Sequence, residues 1–334
     1  MKIAIDVMGG DNFPSANIDG VFNYLKNTIS NDIHFLLIGD KSLIENYLKS
    51  ENLSSNSISI IDAPDIIDNT DKPSRVFKTK PNSSIVKSID LLKNKKVNAV
   101  ISSGNTGALL ATSLFLIGTI HNIKRPALAP YIPSNKRGFI LCDAGANVDT
   151  KPEHLMQFAI MSKAYLENVE NIKNPKIGLL NIGKESNKGN ELVKQTYQVL
   201  ESNFKNFIGN IEPRYILDED MDILICDGFT GNIVLKLTEG IFNNIFNLIE
   251  KNSDNKSISN RNKSLVNQLE NKFDYEEHGG TPILGIKGIV IKCHGASTEK
   301  SIIKSIESAK ILYNKKIINV IEKNLSLQLD SINK

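Results

Sequence analysis

The chain of 334 residues contains no tryptophan, only three cysteines and a formal charge of just +3. So small a charge argues against nucleic acid as a partner, because a basic footprint there is strong and clustered. Cys142, Cys226 and Cys293 lie far apart, each after an apolar run (GFILC, DILIC, GIVIKC), and no CxxC occurs. Neither a zinc site nor a disulfide framework is indicated, and a reducing cytoplasm fits. No apolar stretch approaches the length of a membrane span. The opening MKIAIDVMGGD lacks the basic region and long apolar run of a signal peptide and reads at once as a buried strand ending in a glycine turn. Standard nucleotide fingerprints are missing too: no GxGxxG occurs, and Gly183–Gly189 lacks the GK[ST] ending of a P-loop. No repeat or low-complexity linker divides the chain.

What is present is an ordinary globular composition, 40% hydrophobic and 23% charged, arranged as short apolar runs between stretches of helical period. The runs predict strands over Ile3–Asp6, His34–Ile38, Ser57–Ile61, Ala99–Ser102, Arg137–Cys142, Lys176–Asn181, Met221–Cys226 and Ile289–Lys292. Helices are predicted over Ser83–Lys93, Pro152–Glu167, Asn190–Ser202 and Lys300–Tyr313. Alternation of this kind implies an α/β fold with a largely parallel sheet covered on both faces. One segment differs. Ile233, Leu237, Ile241, Ile245 and Leu248 recur at helical spacing, the polar stretch Lys251–Ser264 follows, and Leu265–Phe273 resumes the helical period. The pattern predicts a helical hairpin over 233–273 that protrudes from a single domain spanning 1–334, with an apolar face for which a second copy of the chain is the simplest partner.

Glycine-rich turns follow most of the predicted strands: Met8–Asp11, Ser103–Gly107, Asp143–Asn147, Gly183–Asn190, Asp227–Asn232 and His294–Ser297. In doubly wound sheets such turns feed helix N-termini, where backbone amides meet anions. Each taken alone is equally a tight turn with an N-cap. Several on one sheet edge suit phosphate-like ligands. Lys184 and Lys188 could neutralise such an anion or be solvated surface lysines. Arg125 could clamp an anion or form a structural ion pair. His294 could donate to a developing oxyanion or be a satisfied structural histidine, and His154 reads as opening a helix. Asp6, Asp11, Asp143 and Asp227 stand at strand ends, where turn-organising roles outweigh metal binding, since carboxylates lining an anion site would repel its ligand. The cysteines read as core residues.

These junctions also carry a resemblance. IDVMGGDNFP, SSGNTGAL, RPALAPYIP, CDAGANVDTKPEHLMQFA, LLNIGKESNKGNEL, CDGFTGNIVLKLTEG and GGTPILGIKGIVIKCHGAS are similar, in that order, to the phosphate acyltransferases of bacterial phospholipid synthesis. The likeness runs from Met1 to about Ala309; Val7 stands where the family usually has alanine. It implies the isocitrate/isopropylmalate dehydrogenase-like (phosphotransacetylase-like) αβα sandwich with a projecting helical hairpin, usually as a homodimer. The implied reaction moves a long-chain acyl group from acyl carrier protein to inorganic phosphate, giving acyl phosphate for a glycerol-3-phosphate acyltransferase. The resemblance further implies a cytoplasmic protein associated peripherally with the membrane. A membrane-touching tip would show exposed apolar residues, yet Lys251–Ser264 offers only Ile258. Lys251, Lys256, Arg261 and Lys263 could instead attract anionic lipid or the acidic carrier.

Thiolates leave readily, so the reaction chiefly requires that a multiply charged nucleophile be held beside a carbonyl and the resulting oxyanion stabilised. No metal or organic cofactor is needed for this. The expected catalytic residues are His294, Lys184, Lys188 and Asn232. The expected phosphate and acyl-donor residues are Gly9, Gly10, Asp11, Ser103, Gly104, Asn105, Thr106, Arg125, Asn147, Asn181, Gly183, Gly228, Thr230 and Gly231. Three other readings compete: a phosphotransacetylase-like enzyme using coenzyme A, a metal- and NAD-dependent decarboxylating dehydrogenase, and a non-catalytic scaffold for the carrier.

Overall fold

A computed structural model describes residues 1–28, 32–68, 70–253 and 279–332. The chain forms two compact units, one of Met1–Pro126, Ala164–Ile172 and His278–Lys334, the other of Ala127–Lys163 and Lys173–Glu277.

The first unit contains β1 (Lys2–Asp6), α1 (Ser15–Asn27), β2 (His34–Gly39), α2 (Lys41–Ser50), β3 (Ile58–Asp62), α3 (Val76–Thr79), α4 (Ser84–Lys93), β4 (Ala99–Ser102) and α5 (Thr106–Leu116). After the second unit it resumes with β11 (Thr281–Leu284), β12 (Ile289–Lys292), α9 (Glu299–Asn314) and α10 (Ile317–Ile332). Its strands run in the order β3-β2-β1-β4-β12-β11, all parallel except β11, which is antiparallel to β12. Ile3, Ile5, Phe35, Leu37, Ile38 and Ile101 are fully buried, as the continuous apolar runs of a two-sided sheet require. Each such side chain contributes about 1.5–3 kcal/mol by leaving water. On one face α1 approaches α9 closely. A Cβ on Gly20 would stand 2.6 Å from Cβ of Ile302, so glycine sets that distance.

The second unit contains β5 (Ala127–Leu128), β6 (Tyr131–Ile132), β7 (Phe139–Cys142), α6 (Pro152–Asn168), β8 (Ile177–Leu180), α7 (Glu191–Asn203), β9 (Phe207–Ile211), β10 (Ile223–Ile225) and α8 (Gly228–Ser253), with α6 ending in residues of the first. Its sheet has the order β6-β7-β10-β8-β9 and is parallel apart from β6. Phe139 and Phe158 fill its core.

The predicted strands and helices are present, with ends moved by one or two residues. The expectation of one sheet edge is corrected: the strands form two sheets, because apolar runs show that a strand is buried but not which neighbour it pairs with. β9 and β11 were not expected. Gly209 at φ +94° interrupts the run in β9, and Pro282 lies within β11, where proline argues against a strand. Helix α8 covers the run expected as the first arm of a hairpin and begins five residues before Ile233. Its second piece, Leu265–Phe273, lies outside the described residues, as do Lys256, Ile258, Arg261 and Lys263. Among the described residues no helix is long and apolar enough to cross a membrane.

Candidate functional site

Three glycine junctions converge in the first unit because β1, β4 and β12 are adjacent and parallel, so all three loops leave the same edge. The Asp11 amide donates to Gly295 O (2.7 Å), and the Asn12 side-chain amide reaches Ala296 O and Ser297 O, both at 3.3 Å. Gly9 and Gly10 permit this crowding: a Cβ on Gly9 would lie 2.4 Å from Gly104 N, and one on Gly10 would lie 2.9 Å from both Gly295 O and Ser103 Cβ. Asn17 of α1 fixes the turn from below by donating to Gly9 O (2.9 Å). Asn105 caps α5 by accepting from the Ala108 amide (2.9 Å), which leaves the first amides of an 11-residue helix beside Ser103 and Gly104.

Beneath these loops sits Asp6. Its carboxylate accepts from the Ser102 hydroxyl and from the Met8 amide (3.1 Å). Burial pushes its pKa up, while the bonds from Ser102, Ser84 and Met8 and the charge of Lys292 pull it down. Lys292 itself closes β12, with Nζ donating to Cys293 O and lying 3.4 Å from Ser103 O. It is a half-buried cation between two of the converging loops, and it was not among the expected site residues. Its place as the polar end of the run GIVIK was the available signal. His294 is exposed, and its Nδ1 accepts from the Ala296 amide (3.2 Å), so the neutral ring carries its proton on Nε2.

In the second unit β7, β10 and β8 are likewise adjacent and parallel. Asp143 organises the loop after β7, accepting from the amides of Leu128 (2.9 Å), Ala146 (3.1 Å) and Asn147 (2.7 Å) and from the Asn147 side chain (2.9 Å). The Gly228 amide donates to Asn147 O (2.8 Å), and Gly145 lies against Asn232, whose Oδ1 would be 3.3 Å from a Cβ there. Asp227 caps α8, taking both the amide (2.9 Å) and the hydroxyl (2.7 Å) of Thr230. Beside this pair of loops, Asn181 holds the loop that follows β8. Its side chain accepts from the Ile182 amide (2.8 Å) and donates to Lys188 O (3.1 Å), and it packs so closely on Gly189 that a Cβ would lie 2.4 Å from Oδ1. Lys184 and Lys188 are exposed on that loop; Lys184 Nζ lies 5.0 Å from the centre of the Tyr215 ring.

Gly9, Gly10, Asp11, Ser103, Gly104, Asn105, Thr106 and His294 thus gather on the first sheet's edge. Asn147, Asn181, Gly183, Lys184, Lys188, Gly228, Thr230, Gly231 and Asn232 stand on the loops of the second sheet's edge. Arg125 is exposed and makes no ion pair among the described residues. Asp6, Asp143 and Asp227 organise turns through their side chains, and no three His, Cys, Asp or Glu side chains among the described residues are grouped to hold a metal. Burial raises the pKa of all three thiols, so they stay protonated, as core cysteines do. The aliphatic pocket lined by Ile283, Ile286, Ile289 and Ile321 opens at the start of β12, at the far end of that strand from the converging loops.

A family model described as "Fatty acid synthesis protein" matches residues 1–320. The chain is 45% identical over 329 residues to a phosphate acyltransferase of Clostridium botulinum (strain ATCC 19397 / Type A), covering 97% of this chain and 98% of that one. It is 44% identical over 337 residues to that of Clostridium acetobutylicum, covering 100% of both. The chain belongs to the phosphate acyltransferase family. Solved structures add the fold. The EutD phosphotransacetylase from Staphylococcus aureus matches with a TM-score of 0.60 at 13% identity, over 93% of this chain and 94% of that chain. A 4-hydroxythreonine-4-phosphate dehydrogenase from Klebsiella pneumoniae matches with a TM-score of 0.53 at 14% identity, over 94% and 98%. This phosphate acyltransferase family member therefore has the phosphotransacetylase-like, dehydrogenase-like αβα architecture.

Proposed function

We propose that this enzyme transfers a long-chain acyl group from an acyl carrier protein thioester to inorganic phosphate, supplying acyl phosphate for glycerol-3-phosphate acylation in phospholipid synthesis. Acyl transfer to phosphate follows from the family; the carrier, the chain length and the consuming acyltransferase are this reading's own. The observation that carries it is the convergence of Gly9–Asp11, Ser103–Thr106 and His294–Ala296 around the half-buried Lys292, a nest of amides with one cation at the N-terminus of α5.

In this reading a phosphate oxygen attacks the thioester carbonyl carbon, forming the C–O bond. The carbonyl oxygen takes the charge, then the C–S bond breaks and the thiolate departs to be protonated by water. The amides of Ser103–Thr106 and the Lys292 ammonium hold phosphate. His294, as an Nε2–H donor, faces the oxyanion. On the second unit Lys184 and Lys188 attract the anionic substrate, while Asn147, Asn181, Gly183, Gly228, Thr230, Gly231 and Asn232 shape the loops that meet the acyl donor. Neither metal nor organic cofactor enters any step. The apolar stripe Ile233, Leu237, Ile241 and Ile245 on α8, exposed in the single chain, pairs with a second copy to make a homodimer. The working location is the cytoplasm, with peripheral contact at the inner face of the membrane.

The direct test is phosphate-dependent release of free thiol from long-chain acyl carrier protein, with acyl phosphate identified as product. Consumption of acetyl-coenzyme A in place of that donor would transfer the case to a phosphotransacetylase. A Lys188→Ala variant is expected to raise the apparent KM for phosphate; an unchanged value removes that residue from the role.

A further inference from the structure

Large apolar side chains stand exposed at the second sheet's edge, on the loops after β7 and β8 and in the first turn of α8. Val148 follows Asn147 and is 65% exposed, Ile182 follows Asn181 and is 78% exposed, and Phe229 follows Gly228 and is 58% exposed. Ile233, one turn further along α8, is 50% exposed. Turns of this kind ordinarily carry Gly, Asn, Asp and Ser, as these do at Asp143, Gly145, Asn147, Asn181, Gly183, Asp227 and Gly228. The apolar residues are also held in place. Asn147 O accepts from the Gly228 amide (2.8 Å), which ties the loop carrying Val148 to the start of α8, and the Ile182 amide donates to Asn181 Oδ1 (2.8 Å). Since β7, β10 and β8 are neighbours and parallel, the three junctions leave the same edge of the sheet, where one chain-like ligand can meet all of them.

We infer that Val148, Ile182 and Phe229 form a subsite for the acyl chain. The inference rests on the acyl-transfer reading and says where on the protein the chain length is read. Scattered surface apolar residues need no explanation. Here they alternate with the residues that hold the second unit's anion-attracting loops, so one edge offers hydrocarbon contact and cationic contact together. That pairing matches a thioester with an apolar tail reacting with phosphate. A second copy of the chain would need a continuous flat face, as α8 offers further along at Leu237, Ile241 and Ile245, whereas two loops and one helix start at a sheet edge suit a narrow ligand.

The experiment compares kcat/KM for thioesters of long and short acyl groups on the same carrier. Each methylene that leaves water against the protein improves the wild-type value about fourfold until the subsite is filled. In Val148→Ser/Ile182→Ser/Phe229→Ser, the long-to-short ratio is expected to fall about tenfold or more. The single Ile182→Ser variant, at the most exposed of the positions, is expected to move the ratio in the same direction and guards against misfolding of the triple. An unchanged ratio, or an equal loss with both donors, overturns the inference. A changed sedimentation coefficient with the ratio intact gives these residues to a second copy and overturns it too. A wild-type protein that releases no thiol from either donor in phosphate would instead sink the acyl-transfer reading, and the subsite with it.

Discussion

Asp6 and Asp143 occupy equivalent places, each buried under the glycine loops at the end of a parallel strand, and each has its pKa raised chiefly by loss of water. An aspartate in the unfolded chain ionises near 3.8, while the folded Asp6 keeps its proton to higher pH. Its contribution to stability is thus complete below 3.8 and is lost as pH rises through the folded value. Asp6→Asn should therefore show a stability gap to wild type that is wider near pH 4 than near neutrality, as read by denaturant unfolding at both; a gap independent of pH would remove this account. Glycine residues give a second test. A Cβ on Gly231 would stand 1.9 Å from Asp143 O, and backbone cannot step aside cheaply. Gly231→Ala should cost about 1–3 kcal/mol or more of stability. Gly240, with nothing within 4 Å of its added Cβ, should gain about 1 kcal/mol on the same change, because alanine suits the helix interior better. Thermal unfolding of the two variants decides the point. These residue choices were only half legible in the sequence. The glycines and aspartates stood out as turn formers, but Lys292 did not, because its role depends on Ser103 in a remote loop.

Helices α5 and α7 each follow an asparagine that accepts from the third amide of the helix, and α7 begins within one residue of the Asn190 where its sequence placed it. Local chemistry settles such boundaries, which is why they could be read without a fold. Helix α8 is different. Its apolar positions 233, 237, 241 and 245 recur every four residues, and all remain exposed in the single chain. A helix face of that kind is not what a solvated helix presents. Leu237→Glu combined with Ile241→Glu is expected to shift the protein from dimer to monomer in sedimentation velocity while leaving the far-ultraviolet circular dichroism of each protomer in place. A species of one unchanged mass for both proteins would count against pairing through α8.

For the whole molecule, the arrangement predicts that inorganic phosphate by itself stabilises the folded state, without added metal or nucleotide. At a hundredfold excess over Kd the gain is about 2.7 kcal/mol by mass action, read as a rise in Tm with phosphate concentration. Lys292→Gln should need a higher phosphate concentration for the same rise, since a neutral amide replaces the cation beside Ser103 O. Sulfate-free buffers make the comparison clean. Equal phosphate responses in the two proteins would take Lys292 out of the anion site.

The sequence alone determined what depends on neighbours along the chain: which runs are strands, which residues turn, where asparagine caps a helix, and to which family the ordered motifs belong. Periodicity and turn chemistry are local, so no knowledge of the fold was needed to see them. Tertiary structure decided how the strands pair into two sheets rather than one, and so which junctions meet. Asp11 reaches Gly295, and Asn147 reaches Gly228, across separations of hundreds or tens of residues that no local pattern encodes. It also decided that Lys292 is drawn in, and that Val148, Ile182 and Phe229 are left in the open. Burial and exposure are properties of the packed chain, set by what each side chain finds beside it once the strands have chosen their partners.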